Sequence, residues 1–238
     1  MKIFKKIKRL NGTCEIYAGG VRLFSYKIRR KRHQVESPKA ALSCGLFPPS
    51  QLANKYLKGL RGIEIGGAAH NQFFLNTLNV NFTEQTTCFT RGEIENAGDI
   101  LKVDIVANGD DLPFKDNTVD FVINSHVLEH FWDPIKTLKE WLRVVKPNGY
   151  VFLIIPHKER TFDKDRTRTP LQELIDRHNG IGVDPGTHAH FSVWVTEDFL
   201  ELCRHLDLKV VEFQDIDDKV GNGFSVVIQK EGFSLATE

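Results

Sequence analysis

From Gly62 onward the chain alternates short apolar runs with longer segments of mixed character. "RGIEIGG", "TLNVNF", "KVDIVAN" and "TVDFVINS" have the length and β-branched content of strands. "DPIKTLKEWLRVV" carries apolar residues at helical spacing and opens on Pro134 after a capping Asp133. "KPNG" reads as a turn, and "YVFLIIP" is wholly apolar, as a strand buried on both faces must be. Beyond Pro156 the chain turns polar until "TPLQELIDRH", a helix for which Thr169 and Gln172 suggest a capping box. A second helix, "TEDFLELCRHL", follows with Thr196 as its expected cap, and "LKVVEFQDI" and "GFSVVIQK" then form a hairpin around "DDKVGNG". This rhythm predicts an α/β fold, a seven-stranded, mostly parallel sheet covered by helices and closed by an antiparallel hairpin. Ahead of it, "MKIFKKIKRL" places Ile3, Ile7 and Leu10 near one helical face. "CEIYAGGVRLFSYKIRRKR" reads as two strands around Gly19-Gly20, and "LFPPS" leads into a helix at "SQLANKYLKGL".

Composition divides the chain in two. The first forty residues hold twelve Lys/Arg against two Asp/Glu, whereas the whole chain of 238 residues has a net charge of only +1. A basic arm, 1–35, thus precedes an acidic body, 36–238, in which 157–190 has the polar character of a lid-like insertion. The arm suits weak contact with an anionic membrane surface, and the acidic body makes nucleic acid an unlikely partner by charge alone. No apolar run approaches the roughly 18–20 residues of a bilayer span, and the start lacks a secretory pattern. The four cysteines, Cys14, Cys44, Cys88 and Cys203, show neither CxxC spacing nor a disulfide framework. The expectation is a cytoplasmic protein, peripheral at the inner face of the membrane.

"EIGG" after a strand lets the backbone approach a ligand closely, yet it also fits an ordinary turn. Its context is more specific. From about Gly59 to Lys230, with "DDLPFKDNTVDFVINSHVLEH" and "RVVKPNGYVFLIIP", the chain resembles class I S-adenosylmethionine-dependent methyltransferases of type 11. The resemblance implies S-adenosyl-L-methionine as cofactor. It implies that Glu64, Gly66 and Gly67 form the turn holding the methionine and ribose parts. Asn108, Gly109 and Asp110 would lie along the adenine, and Ser125 and His126 under the sulfonium. The family pattern acid-x-Gly-x-Gly-x-Gly is broken at Ala68 and His70, and the ribose-gripping acid is replaced by Asn81, with Glu84 nearby. A dinucleotide dehydrogenase would need GxGxxG and an acid after the second strand, and has neither.

A sulfonium cofactor carries the methyl group, so the protein must align an acceptor and remove its proton. Histidine suits proton removal near neutral pH, which makes His126, His190 and His130 the expected catalytic residues. The chain also resembles small-RNA 2′-O-methyltransferases and ubiquinone-pathway O-methyltransferases, which implies His126, Glu129, His130 and His190 as an alternative metal set. In the primary reading no metal is expected. Arg160, Arg166, Arg168 and His188, in or after "HKERTFDKDRTRTP", are the expected contacts for an anionic acceptor. The arm resembles a short lead-in of bacterial cell-surface-glycan enzymes, which points to polysaccharide biosynthesis and a sugar hydroxyl as acceptor. The alternatives are metal-assisted O-methylation of another small molecule or RNA, and a degenerate, non-catalytic docking protein.

Overall fold

The computed structural model describes residues 47–85, 87–187 and 189–232, together with three N-terminal strands. These strands are β1 (Phe4–Lys8), β2 (Thr13–Ala18) and β3 (Val21–Lys27), joined as an antiparallel sheet in that order. The hairpin around Gly19-Gly20 is therefore present, with Ala18 paired to Val21. The helix expected at the start is replaced by β1, whose residues Phe4 to Lys8 pair with Ala18 to Cys14. A three-residue apolar spacing over one short segment does not discriminate helix from strand, and a neighbouring strand to pair with decides it.

Helix α1 (Gln51–Leu57) is capped by Ser50, whose hydroxyl accepts the Ala53 N–H. It leads into β4 (Gly62–Ile65), a single 3₁₀ turn at Ala69–Asn71, β5 (Thr77–Asn81), α2 (Cys88–Ala97) and β6 (Ile105–Val106). The order continues with β7 (Val119–Ser125), α3 (Pro134–Val144) and β8 (Val145–Pro156). Then come α4 (Leu171–His178), α5 (Thr196–His205), β9 (Lys209–Gln214) and β10 (Gly223–Gln229). The main sheet runs β6-β5-β4-β7-β8-β10-β9, and β10 is antiparallel to both its neighbours. The expected seven-stranded architecture is thus the observed one.

Alternation along the strands divides the core. Phe121, Ile123, Phe152 and Ile154 pack on one face with Leu52, Ala53 and Leu57 of α1. Val122, Leu153 and Val226 face the other side, toward Leu138 and Trp141 of α3 and Phe199 of α5. Asp133 caps α3 by accepting the Lys136 N–H at 2.8 Å, with Pro134 in the first turn. The "KPNG" segment lies inside β8: Val119 of β7 pairs with Val145 and Phe121 with Tyr150, so β8 carries the extra residues, and Asn148 has φ +65°.

Neither expected threonine cap forms. Thr169 instead accepts the Val193 N–H, and α4 begins after Pro170. Thr196 donates to Asp215, while Asp198 accepts the Val195 N–H at the start of α5. Among the described residues no helix is long and apolar enough to cross a membrane.

Candidate active site

The turn after β4 is shaped for close approach. Gly66 has φ +64°, and a Cβ there would sit 2.9 Å from Val127 Cγ2. A Cβ on Gly67 would lie 2.9 Å from Asn79 Oδ1, Glu64 Cδ and Leu101 Cδ2. Gly66 donates to the Val80 carbonyl and Gly67 to Asn79 Oδ1. Where the family pattern has its further glycines, the chain instead makes the 3₁₀ turn. That turn is held by Glu93 of α2, whose Oε2 accepts the Ala69 and Leu101 N–H groups at 2.7 and 3.0 Å. Between β4 and β5 these three residues are the helical part.

A cavity of about 800 Å³ opens at the carboxyl ends of β4 to β7. Gly66, Asn81, Asn108, Gly109, Asp110 and Ser125, all among the expected cofactor contacts, line it. Glu64 and Gly67 instead stand behind the turn. Burial pushes the Glu64 carboxyl up to about 7, against the pull of the Lys219 charge and the Thr77 hydroxyl. Trp141 donates its indole N–H to the Gly109 carbonyl at 2.8 Å, and Lys136 pairs with Asp110 at 2.7 Å. Helix α3 thereby sets the loop expected along the adenine.

Two buried polar atoms on the lining, His70 Nδ1 and Asn71 Oδ1, have no hydrogen-bond partner. With the glycine cradle they fit a polar, elongated cofactor such as S-adenosylmethionine. Asn71 Nδ2 donates to Ser125 Oγ at 3.1 Å, so the 3₁₀ turn is tied to the end of β7.

The histidines gather at the other end of the cavity. His126 lines it from a φ of +55°, a conformation rare for a non-glycine residue. Burial lowers its imidazole to about 4, which keeps it neutral and a weak proton acceptor near pH 7. His130 also lines the cavity, whereas His190 sits behind it, its Nδ1 2.6 Å from Asp163 Oδ2. Glu129 lies between His130 and His190, fully buried, 3.8 Å from Nε2 of each.

The arginines expected to bind an acceptor are engaged elsewhere. Arg160 pairs with Asp215, Arg166 with Asp163 and Arg168 with Asp198, and none of the three lines the cavity. His188 lies outside the described residues. Beyond the histidines the wall comes from Phe47, Trp132, Phe191, Asp184 and, on the loop between β9 and β10, Asn222. The sequence reading missed Glu93 and this loop. No local motif marks either one, since both act through contacts distant in sequence.

Comparison with known proteins agrees with this geometry. Residues 63–153 match the family model described as "Methyltransferase domain". By sequence this stretch is similar to methyltransferase domains. It spans β4 to most of β8 and so contains the glycine turn, the 108–110 loop and the His126–His130 segment. A "Probable S-adenosylmethionine-dependent methyltransferase" of Mycolicibacterium smegmatis is 42% identical over 67 residues, 28% of this chain and 25% of the relative. The "Ubiquinone/menaquinone biosynthesis C-methyltransferase" of Haemophilus ducreyi is 38% identical over 87 residues, 36% of this chain and 31% of its own. The matches thus span about a quarter to a third of these curated relatives. In fold, the chain is similar to a Thermotoga maritima structure described as a "SAM-dependent methyltransferase, possible histamine N-methyltransferase". The TM-score is 0.50 at 20% identity, covering 76% of this chain and 87% of that one.

Proposed function

We propose that the protein transfers a methyl group from S-adenosylmethionine to a hydroxyl of an uncharged, hydroxyl-rich acceptor, of which a sugar of a surface glycan or its precursor is the leading case. The observation that carries the reading is the one cavity bordered by both halves of the required machinery. The glycine turn and the 108–110 loop line one end, and His126 and His130 the other. Bound there, the cofactor supplies an electrophilic methyl on a sulfonium. The chain's part is to align the acceptor oxygen and receive its proton.

The acceptor class follows from the wall. Trp132 and Phe191 offer apolar faces, and Asp184 and Asn222 offer hydrogen-bonding groups, a mixture suited to a sugar ring. The internal pairing of Arg160, Arg166 and Arg168 argues for an uncharged acceptor over an anionic one.

The test is calorimetric titration of the full chain with S-adenosylhomocysteine, followed by methyl-transfer assays on neutral oligosaccharides and nucleotide sugars. Micromolar binding and transfer to the neutral set are expected. Absence of binding, repeated by a second method, would leave the docking-protein reading in place.

A further inference from the structure

Glu93 is a buried carboxylate that borders the cavity from helix α2. One of its oxygens, Oε2, accepts both the Ala69 and the Leu101 N–H groups, and no cation among the described residues pairs with the side chain. A carboxylate withdrawn this far from water is costly unless a complementary charge joins it.

Two more polar groups converge on the turn that Glu93 holds. His70 Nδ1 and Asn71 Oδ1 both lie buried on the lining without a partner, and Asn71 Oδ1 is an acceptor only. Asn71 is fixed by its Nδ2, which donates to Ser125 Oγ at 3.1 Å. Phe47 steadies His70: its N–H donates to the His70 carbonyl at 3.0 Å, and the two rings lie 6.0 Å apart. Burial lowers the His70 imidazole below its usual range; the Glu93 charge opposes this and the Lys219 charge adds to it. The ring is therefore neutral near pH 7 and keeps one N–H to donate.

Position in the cavity decides which part of a ligand meets these groups. Asn81 and the 108–110 loop follow β5 and β6, Ser125 and His126 stand at the end of β7, and the 3₁₀ turn follows β4 between them. A cofactor with its adenine along 108–110 and its sulfur toward His126 leaves its amino-acid tail beside Ala69–Asn71. That tail carries one ammonium and one carboxylate. We infer that Glu93, Asn71 and His70 form a clamp for this zwitterion, the Glu93 carboxylate and Asn71 Oδ1 receiving the ammonium and the His70 N–H donating to the carboxylate. The inference rests on the S-adenosylmethionine reading and adds the residues that select its charged tail. Ribose hydroxyls in the same place would leave Glu93 without a counter-charge, whereas an ammonium supplies one. His70 is one of the two residues that break the glycine pattern, so the break brings in a hydrogen-bonding side chain where glycine has none.

The test is calorimetric binding of three ligands to the full chain, independent of turnover. S-adenosylhomocysteine has both tail groups, S-adenosyl-3-thiopropylamine has the ammonium alone, and 5′-methylthioadenosine has neither. The wild type should bind them with affinity falling in that order. Glu93→Gln keeps an oxygen for the two N–H groups and loses the charge. It should weaken the first two ligands roughly 10–100-fold and the third by less than about threefold. His70→Leu should weaken S-adenosylhomocysteine alone, by roughly 10-fold. Equal weakening of all three by Glu93→Gln would mean that it only supports the turn, and this overturns the clamp, as does unchanged affinity. If Glu93→Gln does not fold, His70→Leu decides: an undiminished preference for S-adenosylhomocysteine over the thiopropylamine overturns the clamp. Wild type that binds all three equally well overturns the clamp alone. Folded wild type that binds none of them overturns the cofactor reading and the clamp with it, so the two failures give different results.

Discussion

Glu64 stands where the resemblance puts a cofactor-binding acid, yet its carboxyl is turned into the protein behind Gly67. Its burial has a consequence for stability. A free glutamate titrates near 4.5, whereas burial raises Glu64 to about 7. Between these values the unfolded chain gains a charge that the folded chain withholds. Native stability therefore falls as pH rises from about 4.5 to 7 and changes no further through this group above that. Glu64→Gln removes the titration, so its stability relative to wild type should climb across that window by about 3 kcal/mol and then level off. Urea unfolding of both proteins at pH 5, 6, 7 and 8 measures this, and parallel stability curves would count against a buried, proton-holding Glu64. The acid itself was legible as part of a strand-end motif. Its orientation was not, because Gly67, Asn79 and Thr77 set it, and only the fold brings β5 beside β4.

The loop between β9 and β10 shows how a polar segment becomes part of a site wall. Asp217 Oδ1 accepts the N–H groups of Lys219 and Val220 at 3.0 and 2.5 Å, and Oδ2 accepts those of Gly221 and Gly223 at 3.0 and 2.8 Å. One carboxylate thus closes the loop that presents Val220 and Asn222 to the cavity. Lys219 reaches from the same loop to the Pro48 and Gln72 carbonyls, tying it to both neighbouring segments. Asp217→Ala leaves four donors without their acceptor and should cost about 3 kcal/mol of stability. Hydrogen exchange should speed up at 217–223 ahead of the strands, and unchanged exchange there would refute the closure role. From sequence, "DDKVGNG" was readable as a turn, but which aspartate closes it was not. Similar limits explain other differences. Helix α2 went unread because "CFTRGEIENA" has no apolar stripe, whereas α3, with Leu138, Trp141 and Val144 buried along one side, was plain from its spacing. Thr169 looked like a cap because capping residues and turn residues share the same chemistry, and a partner at Val193 claimed its hydroxyl.

The whole chain places a basic three-stranded segment ahead of a body that closes on itself. All seven strands of the main sheet come from residues 62–229, and the described core runs from Leu52 to Ile228. Among the described residues the cavity wall begins at Phe47, whose N–H donates to the His70 carbonyl. The joint change of charge and of strand–helix rhythm along the chain was legible early. Pairing of β1 with β2 was not, because partner choice in a short sheet depends on contacts that no single segment encodes. Deletion of residues 1–46 should therefore leave S-adenosylhomocysteine affinity within about threefold, a difference of roughly 0.7 kcal/mol, and preserve a cooperative thermal transition. The same deletion removes most of the chain's concentrated positive charge. If the arm docks on anionic surfaces, vesicles containing phosphatidylserine should sediment the full chain and not the shortened one, with the difference abolished by high salt. Loss of cofactor affinity in the shortened protein would mean that the basic segment completes the site. Equal sedimentation of the two would place any membrane contact on the acidic body instead, where charge gives no reason to expect it.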